Sequence, residues 1–355
     1  MAAPKNVHFG VIVEGHRAEM HQGPLRPMGP TDLLIKMEAC NICTTDYQQW
    51  MGLRDHQGFP MAGGHEWAGR IIDKGSEVID AFSIGDQVGM MYNYCGICDN
   101  CRVGLTGDCT GGTRTRAPGP DGYYGNKFFA DYAVMDQRFA VKINNDIPAV
   151  EAGFLEPVAT VVCGVKKVGL KPLEDIVVIG AGTMGLVNAQ VARAFGARVI
   201  ITEISDKKLE RARKMGIADV IDSRAVDPIQ AVKDLTGGKG ADAVIAAVGS
   251  TIAYKQGYDM LKPTLGRLSL FPAGYPKPEL DLDPNELHYR KIDIIGTIGA
   301  HAVDFVDASR LISKKLIDCS YSLEGETFPL RDIQQAYEAA ATPDKYRVTV
   351  DLQGV

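Results

Sequence analysis

Four of the eight cysteines stand close together in the chain and are able to share one metal ion. They are separated by two, two and seven residues and are Cys95, Cys98, Cys101 and Cys109. Four thiolates at this spacing can surround one tetrahedral Zn²⁺ ion and leave it no open position. The pattern therefore predicts a structural zinc lobe at about residues 92–112. An iron–sulfur cluster and unliganded thiols are the alternatives.

A second set of residues combines sulfur, nitrogen and oxygen ligands. Cys43 is followed about twenty residues later by His65 and Glu66, and Glu156 comes much later in the chain. A thiolate, an imidazole and one or two carboxylates suit zinc. One thiolate and one carboxylate already neutralise Zn²⁺, so we expect the other carboxylate to give way to water or substrate. An open position of this kind is what a catalytic zinc site requires.

Each of these residues also has a simpler interpretation. A lone Cys43 is more often a small buried apolar side chain, and Cys40 with Cys43 forms a CxxC pair of the kind found in redox sites and zinc ribbons. Glu66 is interpretable as a surface acid, and Glu156 as an acid at the start of a helix. It is their combination that favours a metal site.

A glycine-rich turn predicts a dinucleotide site. The turn follows the apolar run at residues 176–179 and consists of Gly180, Ala181, Gly182, Thr183, Met184 and Gly185. The first glycine permits the tight turn, the second lets a pyrophosphate approach the backbone, and the third lets helix and strand pack closely. The N–H groups at the start of the following helix attract the phosphates. A purely structural βαβ unit is the alternative.

Beyond the glycine-rich turn, three further residues are candidate contacts of the same cofactor. Glu203, at the end of the next strand, can accept hydrogen bonds from both ribose hydroxyls and would repel a 2′-phosphate, which favours NAD over NADP. Lys208 lies one turn into the following helix and either reaches the ribose or is a solvated lysine. Val248 ends a later strand pattern that begins at residue 241, and we include it in the predicted cofactor site.

The elements that must position these residues fall into two regions. Up to about residue 150, short apolar runs are separated by glycine, proline and aspartate, which predicts a mainly β, barrel-like domain. Strand and helix patterns then alternate between residues 176 and 271, which predicts right-handed βαβ units and a doubly wound parallel sheet. Two helical patterns, at 305–315 and 332–341, follow in a tail that we expect to return to the first domain.

Composition and charge limit the class of protein. The 355 residues are 45% hydrophobic and 23% charged, which is ordinary for a globular protein of two domains. The net charge is −6, and no uncharged stretch approaches the roughly 20 apolar residues of a membrane helix. We therefore expect no nucleic-acid or membrane partner. Since the N-terminus lacks a signal-peptide pattern, we also expect a cytoplasmic location.

Taken in order, the motifs resemble those of the zinc-dependent medium-chain dehydrogenases of the alcohol dehydrogenase superfamily. They are Cys43-Thr-Thr-Asp46, Gly64-His-Glu66, the zinc lobe, Phe129-Ala-Asp-Tyr132, Glu156-Pro157 and the glycine-rich turn. The Gly-His-Glu and Glu-Pro elements are more similar to the sorbitol, butanediol and threonine dehydrogenase branch. The resemblance implies an α/β chain in which a GroES-like catalytic domain, residues 1–157 and 296–355, is interrupted by a Rossmann NAD-binding domain, residues 158–295. It also implies two zinc ions per chain and a homodimer or homotetramer.

The resemblance assigns a role to each residue of the catalytic zinc site. Cys43 and His65 match zinc ligands, Glu66 matches the ligand or near-ligand after the histidine, and Glu156 matches a residue that binds zinc or holds its water. Thr45 and Asp46 complete the site: the first matches the hydroxyl that touches the substrate oxygen, and the second matches the carboxylate that orients the zinc histidine.

Two residues near this site depart from the family pattern. Gln48 stands where many relatives have a histidine that passes the proton to solvent, and an amide does not titrate. Cys40 adds a thiol beside the zinc loop that the resemblance does not account for. The proton route and the role of this thiol therefore stay open.

The resulting hypothesis is the reversible oxidation of a secondary alcohol to a ketone, with hydride transfer to NAD. The alcohol would be a polyol, a diol or a sugar derivative, and Thr45 would accept the hydroxyl proton. Residues able to line the pocket are Tyr47, Gln49, Trp50 and Arg54, although core packing is equally expected for the tryptophan. A 3-hydroxy amino acid dehydrogenase of the threonine type is the first alternative, but it needs an anchor for a carboxylate that the sequence does not reveal. A non-catalytic NAD- or redox-sensing zinc protein is the remote alternative.

Overall fold

The computed structural model describes residues 4–54, 58–111 and 117–354, and the chain divides into two compact units. The first unit consists of the described residues of Met1–Ala159 and Ala300–Val355, and the second unit is Thr160–Gly299. None of the helices in the described ranges is both long enough and apolar enough to cross a bilayer.

Strands and helices alternate along most of the chain. The strands are β1 Asn6–Glu14, β2 Arg17–Pro24, β3 Asp32–Asn41, β4 Glu66–Lys74, β5 Gln87–Met90, β6 Tyr132–Asp136, β7 Ala140–Ile143, β8 Asp175–Ile179, β9 Arg198–Glu203, β10 Asp219–Asp222, β11 Ala243–Ala246, β12 Arg267–Leu270, β13 Asp293–Gly296, β14 Leu323–Pro329 and β15 Arg347–Asp351. The α-helices are α1 Thr44–Trp50, α2 Asp99–Arg102, α3 Ala149–Ala152, α4 Leu155–Val168, α5 Thr183–Ala194, α6 Asp206–Lys214, α7 Pro228–Leu235, α8 Thr251–Asp259, α9 Pro284–Arg290, α10 Ala302–Ser313 and α11 Ile333–Ala341.

The first unit is built around one mixed sheet. Its strands lie in the order β14-β15-β3-β4-β5-β7, with β6 also paired to β3, and β1 and β2 form a separate antiparallel pair. β3 is buried along most of its length because sheet neighbours and core side chains cover both of its faces. Trp67, Tyr337 and Phe129 are the largest fully buried side chains in this core. The C-terminal strand β15 pairs with β3, so the end of the chain completes the sheet of the N-terminal residues.

The second unit is a parallel sheet with helices between its strands. The strand order is β10-β9-β8-β11-β12-β13, and every neighbouring pair is parallel. In chain order the strands of this unit therefore lie as 3-2-1-4-5-6, the arrangement of a doubly wound dinucleotide-binding fold. β8 lies between β9 and β11, and its residues from Ile176 to Ile179 are buried. The predicted α/β fold class is confirmed.

The element boundaries differ from the sequence patterns in a few places. The strand predicted over 241–248 is shorter, since β11 covers Ala243–Ala246 and Ala241 makes an isolated bridge to Leu261. α1 had not been predicted because its N-cap is Cys43, which is not one of the side chains that usually mark a helix start. The helix α9 and the edge strand β13 were also missed, as their residues are mostly exposed and follow no clear apolar period.

Candidate metal and dinucleotide sites

Helix α1 positions the first residues of the candidate catalytic site. Cys43 is its N-cap residue, and Asp46, one turn into the helix, accepts a hydrogen bond from the Cys43 backbone N–H at 3.1 Å. This contact is the reciprocal half of a capping box, in which a carboxylate satisfies a free N–H at the helix start. The thiol and the buried carboxylate are therefore held on one turn of backbone.

A glycine brings the histidine to the same place. Gly64 has a φ of +96°, and a Cβ there would lie 2.7 Å from the Phe129 backbone nitrogen. No side chain larger than hydrogen fits this close approach, so the chain can turn there and start β4. His65 follows directly, and its Nδ1 lies 3.6 Å from Asp46 Oδ2. This is the position expected for a carboxylate that orients the histidine.

Three of the four predicted ligands come together. One ligand atom from each of Cys43, His65 and Glu66 lies within 4.8 Å of the others. The sheet supplies Glu66, because it is the first residue of β4 and pairs with Asn41 at the end of β3. A thiolate, an imidazole and a carboxylate at these separations fit a zinc ion, which matches the donor set expected from the sequence.

An arginine that sequence reasoning missed binds the carboxylate of this cluster. Arg347 Nε donates to Glu66 Oε2 at 2.8 Å, and Arg347 Nη2 donates to Glu66 Oε1 at 2.8 Å. The same Nη2 lies 3.5 Å from Cys43 Sγ, and Nη1 donates to Thr44 Oγ1 at 3.2 Å. The sequence feature that could have indicated this contact is an arginine beside the apolar residues of β15. A buried guanidinium requires an anionic partner.

Burial and charge shift the pKa values of three groups at this site, Cys43, Asp46 and His65. Burial raises the pKa of the Cys43 thiol, and Glu66 adds to this effect while Arg347 opposes it. Burial also raises the pKa of Asp46, against the influence of His65. Burial alone would lower the pKa of His65, but the charges of Asp46 and Cys43 outweigh it and leave the pKa well above its usual value. Metal ligands must lose their protons, so a cation binding here would release protons to solvent.

Glu156 lies close to the cluster without joining its ligand set. It stands in the first turn of α4, and its carboxylate accepts a short hydrogen bond from the Tyr92 hydroxyl. Burial raises its pKa, while the nearby His65 lowers it and Glu66 raises it further. Among the described residues, the compact donor group contains Cys43, His65 and Glu66 but not Glu156. A direct bond from Glu156 to zinc stays a prediction.

The predicted pocket residues take different environments. Thr45 lies in the first turn of α1, and its hydroxyl oxygen accepts a hydrogen bond from Arg54 Nη1 at 3.2 Å. Gln49 and Trp50 are buried, and the indole stacks on Tyr337 with ring centroids 6.2 Å apart, so the tryptophan is a core residue.

Two side chains flagged by the sequence add no ligand to this cluster. Tyr47 is half-buried and packs against the first core. Cys40 is fully enclosed, and burial raises the pKa of its thiol well above the usual range. A protonated, enclosed thiol is a poor metal ligand and a poor target for oxidation. Its interpretation as a buried apolar side chain fits the structure best.

The zinc lobe has the geometry of a closed four-thiolate site. Ligand atoms of the four cysteines at positions 95, 98, 101 and 109 lie within 4.8 Å of one another. Backbone N–H groups of Ile97 and Cys98 point to Cys95 Sγ at 3.5 and 3.3 Å. Hydrogen bonds from the backbone of Cys101 and Thr110 lower the pKa of Cys98 to about 5. Donors directed at sulfur favour thiolates, so the lobe fits a tetrahedral zinc ion.

The glycine-rich turn has the close packing expected of a dinucleotide site. Gly182 is the N-cap of α5, and a Cβ on Gly185 would collide with the carbonyl oxygen of Gly180. Thr183 is buried and Met184 is half-buried in the first turn of this helix. The close approach of Gly180 and Gly185 gives the tight strand-to-helix turn of a dinucleotide site.

The three remaining cofactor candidates lie in the same unit. Both carboxylate oxygens of Glu203 are held by backbone N–H groups, from Ala181 at 2.7 Å and from Ile204 at 2.6 Å. Val248 is 43% exposed and packs against Gly180, where a Cβ would meet its side chain. Lys208 lies in the first turn of α6, and its backbone N–H bonds to the N-cap serine of that helix.

Similarity to known proteins agrees with this geometry. The alcohol dehydrogenase GroES-like domain matches residues 29–145, and the zinc-binding dehydrogenase domain matches residues 183–314. An L-threonine 3-dehydrogenase of Deinococcus deserti is 31% identical over 335 residues, which are 92% of this chain and 93% of that protein. The chain belongs to the zinc-dependent medium-chain alcohol dehydrogenase family. The resemblance inferred from the sequence motifs is confirmed.

Two further members of this family are similar over nearly all of their length. A sorbitol dehydrogenase of Halalkalibacterium halodurans is 28% identical over 342 residues, covering 94% of this chain and 95% of that protein. The crystal structure of a benzyl alcohol dehydrogenase from Acinetobacter calcoaceticus has a TM-score of 0.85 at 25% identity, covering 98% of this chain and 99% of the other. The names differ in the alcohol, so membership of the alcohol dehydrogenase family does not define the substrate.

The buried pair of Arg347 and Glu66 can be tested by stability measurements. Replacing Arg347 by methionine should lower the free energy of unfolding by about 3–5 kcal/mol, because it leaves a buried carboxylate without its cation. Urea denaturation of the zinc-loaded protein measures this loss. The control is Arg138→Met, an exposed arginine paired with Asp136, which should change the value by less than about 0.5 kcal/mol. If Glu66→Gln and Arg347→Met have strictly additive effects when combined, the two residues are not coupled.

The two inner glycines of the turn should respond differently to alanine. A Cβ on Gly182 meets nothing within 4 Å, so Gly182→Ala should leave Tm within about 2 °C of the wild-type value. It should weaken NAD binding about tenfold or more, because the methyl group stands where the pyrophosphate approaches. Gly185→Ala should lower Tm as well, since overpacking costs about 1–3 kcal/mol. Thermal unfolding and NADH fluorescence titration measure both effects, and normal NAD affinity in Gly182→Ala would contradict this assignment.

Proposed function

We propose that this alcohol dehydrogenase family member oxidises a secondary alcohol reversibly to a ketone and transfers the hydride to NAD. The observation that carries the proposal is the convergence of ligand atoms of Cys43, His65 and Glu66 within 4.8 Å, with Thr45 two residues after Cys43 in the first turn of α1. We assign substrate binding to the first unit and NAD binding to the second. The proposed substrates are polyols, diols and sugar derivatives. A homodimer or homotetramer stays a prediction, and so does a cytoplasmic location.

The zinc ion would be held by Cys43, His65 and a glutamate. It would act as a Lewis acid toward the substrate oxygen, and NAD would accept the hydride. The charges of the surrounding protein suit such an ion. Arg347 compensates Glu66, so the remaining charges of Cys43 and Asp46 equal the two positive charges of zinc.

The chain's own residues handle the proton. Arg54 donates a hydrogen bond to Thr45 Oγ1, and the second lone pair of this oxygen can accept a hydrogen bond from the substrate hydroxyl. Asp46 faces His65 at 3.6 Å and holds the ring in one orientation. Oxidation removes a hydride from the carbinol carbon and a proton from its oxygen, so the products are the ketone, NADH and one proton released to solvent.

The choice of NAD over NADP is supported by Glu203. Hydrogen bonds from the backbone of Ala181, Ile204 and Ser205 hold its carboxylate at the end of β9. A fixed negative charge at this position repels a 2′-phosphate and accepts ribose hydroxyls.

A threonine-type 3-hydroxy amino acid dehydrogenase is the second candidate. It is favoured by the family member from Deinococcus deserti, which is named an L-threonine 3-dehydrogenase and matches 92% of this chain. Both candidates share the same metal ligands and the same direction of hydride transfer, so they differ in the groups that surround the reacting carbon.

The proposed function predicts different effects for the two sets of cysteines. Wild-type protein should contain about two zinc ions per chain, and Cys43→Ser should lose one of them together with turnover while it keeps NAD binding. Cys95→Ser should also lose one zinc ion, but from the lobe, and should lower thermal stability. Elemental analysis, NADH absorbance with a panel of polyols, diols, hydroxy acids and amino alcohols, and NADH fluorescence measure these outcomes. Wild-type turnover by Cys43→Ser, or no NADH formation with any alcohol, would overturn the proposal.

A further inference from the structure

A cation lies beside the hydroxyl that we place at the reacting oxygen. Arg54 follows α1 in the chain, and its Nη1 donates to Thr45 Oγ1 at 3.2 Å. Both residues belong to the first unit, and both are partly exposed. A substrate whose oxygen contacts Thr45 therefore also meets a guanidinium group.

Within the described part of the chain, the positive charge of Arg54 is not paired with a carboxylate. There, its polar contact is the neutral hydroxyl of Thr45, and no described carboxylate lies within 4.0 Å of its guanidinium nitrogens. Arg347, by contrast, is paired with Glu66, and the half-buried Arg267 is paired with Glu174 at 2.6 Å. A guanidinium that has no carboxylate partner in the described ranges has capacity for an anion.

The free donors of Arg54 suit a carboxylate. A guanidinium has five N–H groups, and the bond to Thr45 occupies one of those on Nη1. Among the described residues, no acceptor bonds to the edge formed by Nε and Nη2. Such an edge can make two parallel hydrogen bonds, which is the preferred geometry between arginine and carboxylate.

We propose that Arg54 binds a carboxylate of the substrate, and that among the secondary alcohols of the proposed function the substrate is a hydroxy acid. The inference rests on the proposed function, because it takes Thr45 as the residue at the reacting oxygen. Arg54 supplies a positive charge beside the Thr45 hydroxyl. A neutral polyol gains less from this arginine, since it offers the guanidinium no opposite charge.

Matched substrates separate this inference from the proposed function. Each hydroxy acid is assayed beside its neutral amide, which has the same carbinol carbon and lacks the charge. The wild-type protein should prefer the acid about 100-fold in kcat/KM, because the amide leaves the guanidinium with a weaker partner. Equal kcat/KM values for acid and amide would overturn the role of Arg54 and leave alcohol oxidation intact. Absence of NADH formation with every alcohol would instead overturn the proposed function.

Substitutions at Arg54 test whether it binds substrate or merely positions Thr45. Arg54→Gln keeps a donor for Thr45 but removes the charge, so kcat/KM for the acid should fall about 100-fold, mainly through KM, while the amide changes less than about threefold. Arg54→Lys keeps the charge without the planar fork and should lie between these values. An equal loss for acid and amide would show that the residue acts through Thr45 and would contradict the inference.

Binding of an unreactive acid supplies a readout that does not depend on turnover. 2-Hydroxyisobutyrate has a carboxylate beside a tertiary hydroxyl and cannot lose a hydride. Calorimetric titration of the zinc- and NAD-loaded protein should show that Arg54→Gln binds this acid at least about tenfold more weakly than the wild-type protein. The control Arg138→Gln alters an exposed arginine paired with Asp136 and should leave the affinity unchanged. Equal affinity in wild type and Arg54→Gln would overturn the inference.

Discussion

A buried ion pair links the last strand of the chain to the candidate metal site. Arg347 is 5% exposed and Glu66 is fully buried, and removing two charges from water costs several kcal/mol for each ion. Two parallel hydrogen bonds between the groups offset this cost, and the same guanidinium also contacts Thr44 and Cys43. The sheet order β15-β3-β4 brings the two side chains together. The pairing of β15 with β3 therefore bears directly on the electrostatics of the metal ligands.

This pair also explains how several acidic groups can share one small volume. Without Arg347, the thiolate and the carboxylates would repel one another in a region from which water is excluded. With it, the remaining charge of the ligand cluster suits a divalent ion. Arg54 adds a second positive charge beside Thr45, on the side that we assign to the substrate. The two arginines thus have separate roles. Arg347 pairs with Glu66 of the ligand cluster, and Arg54 would bind the proposed anionic substrate.

Steric and hydrogen-bonding constraints shape the dinucleotide turn of the second unit. Gly185 must lack a side chain because the carbonyl of Gly180 occupies the space, and Glu203 is fixed by three backbone N–H groups. All of these contacts are made between residues of the chain itself, and they hold the turn and the Glu203 carboxylate in place. The zinc lobe differs in this respect, since its four thiolates would repel each other without a cation.

The sequence by itself determined the features that depend on neighbouring residues. Apolar periodicity and the glycine spacing predicted the doubly wound sheet and its turn, and the cysteine spacing predicted the zinc lobe, because each is a short-range pattern. The tertiary structure decided which groups meet across long separations. Arg347 and Glu66 are 281 residues apart, and Tyr92 and Glu156 are 64 residues apart. Strand pairing and loop packing create these contacts, and local periodicity carries no information about which distant side chains they bring together.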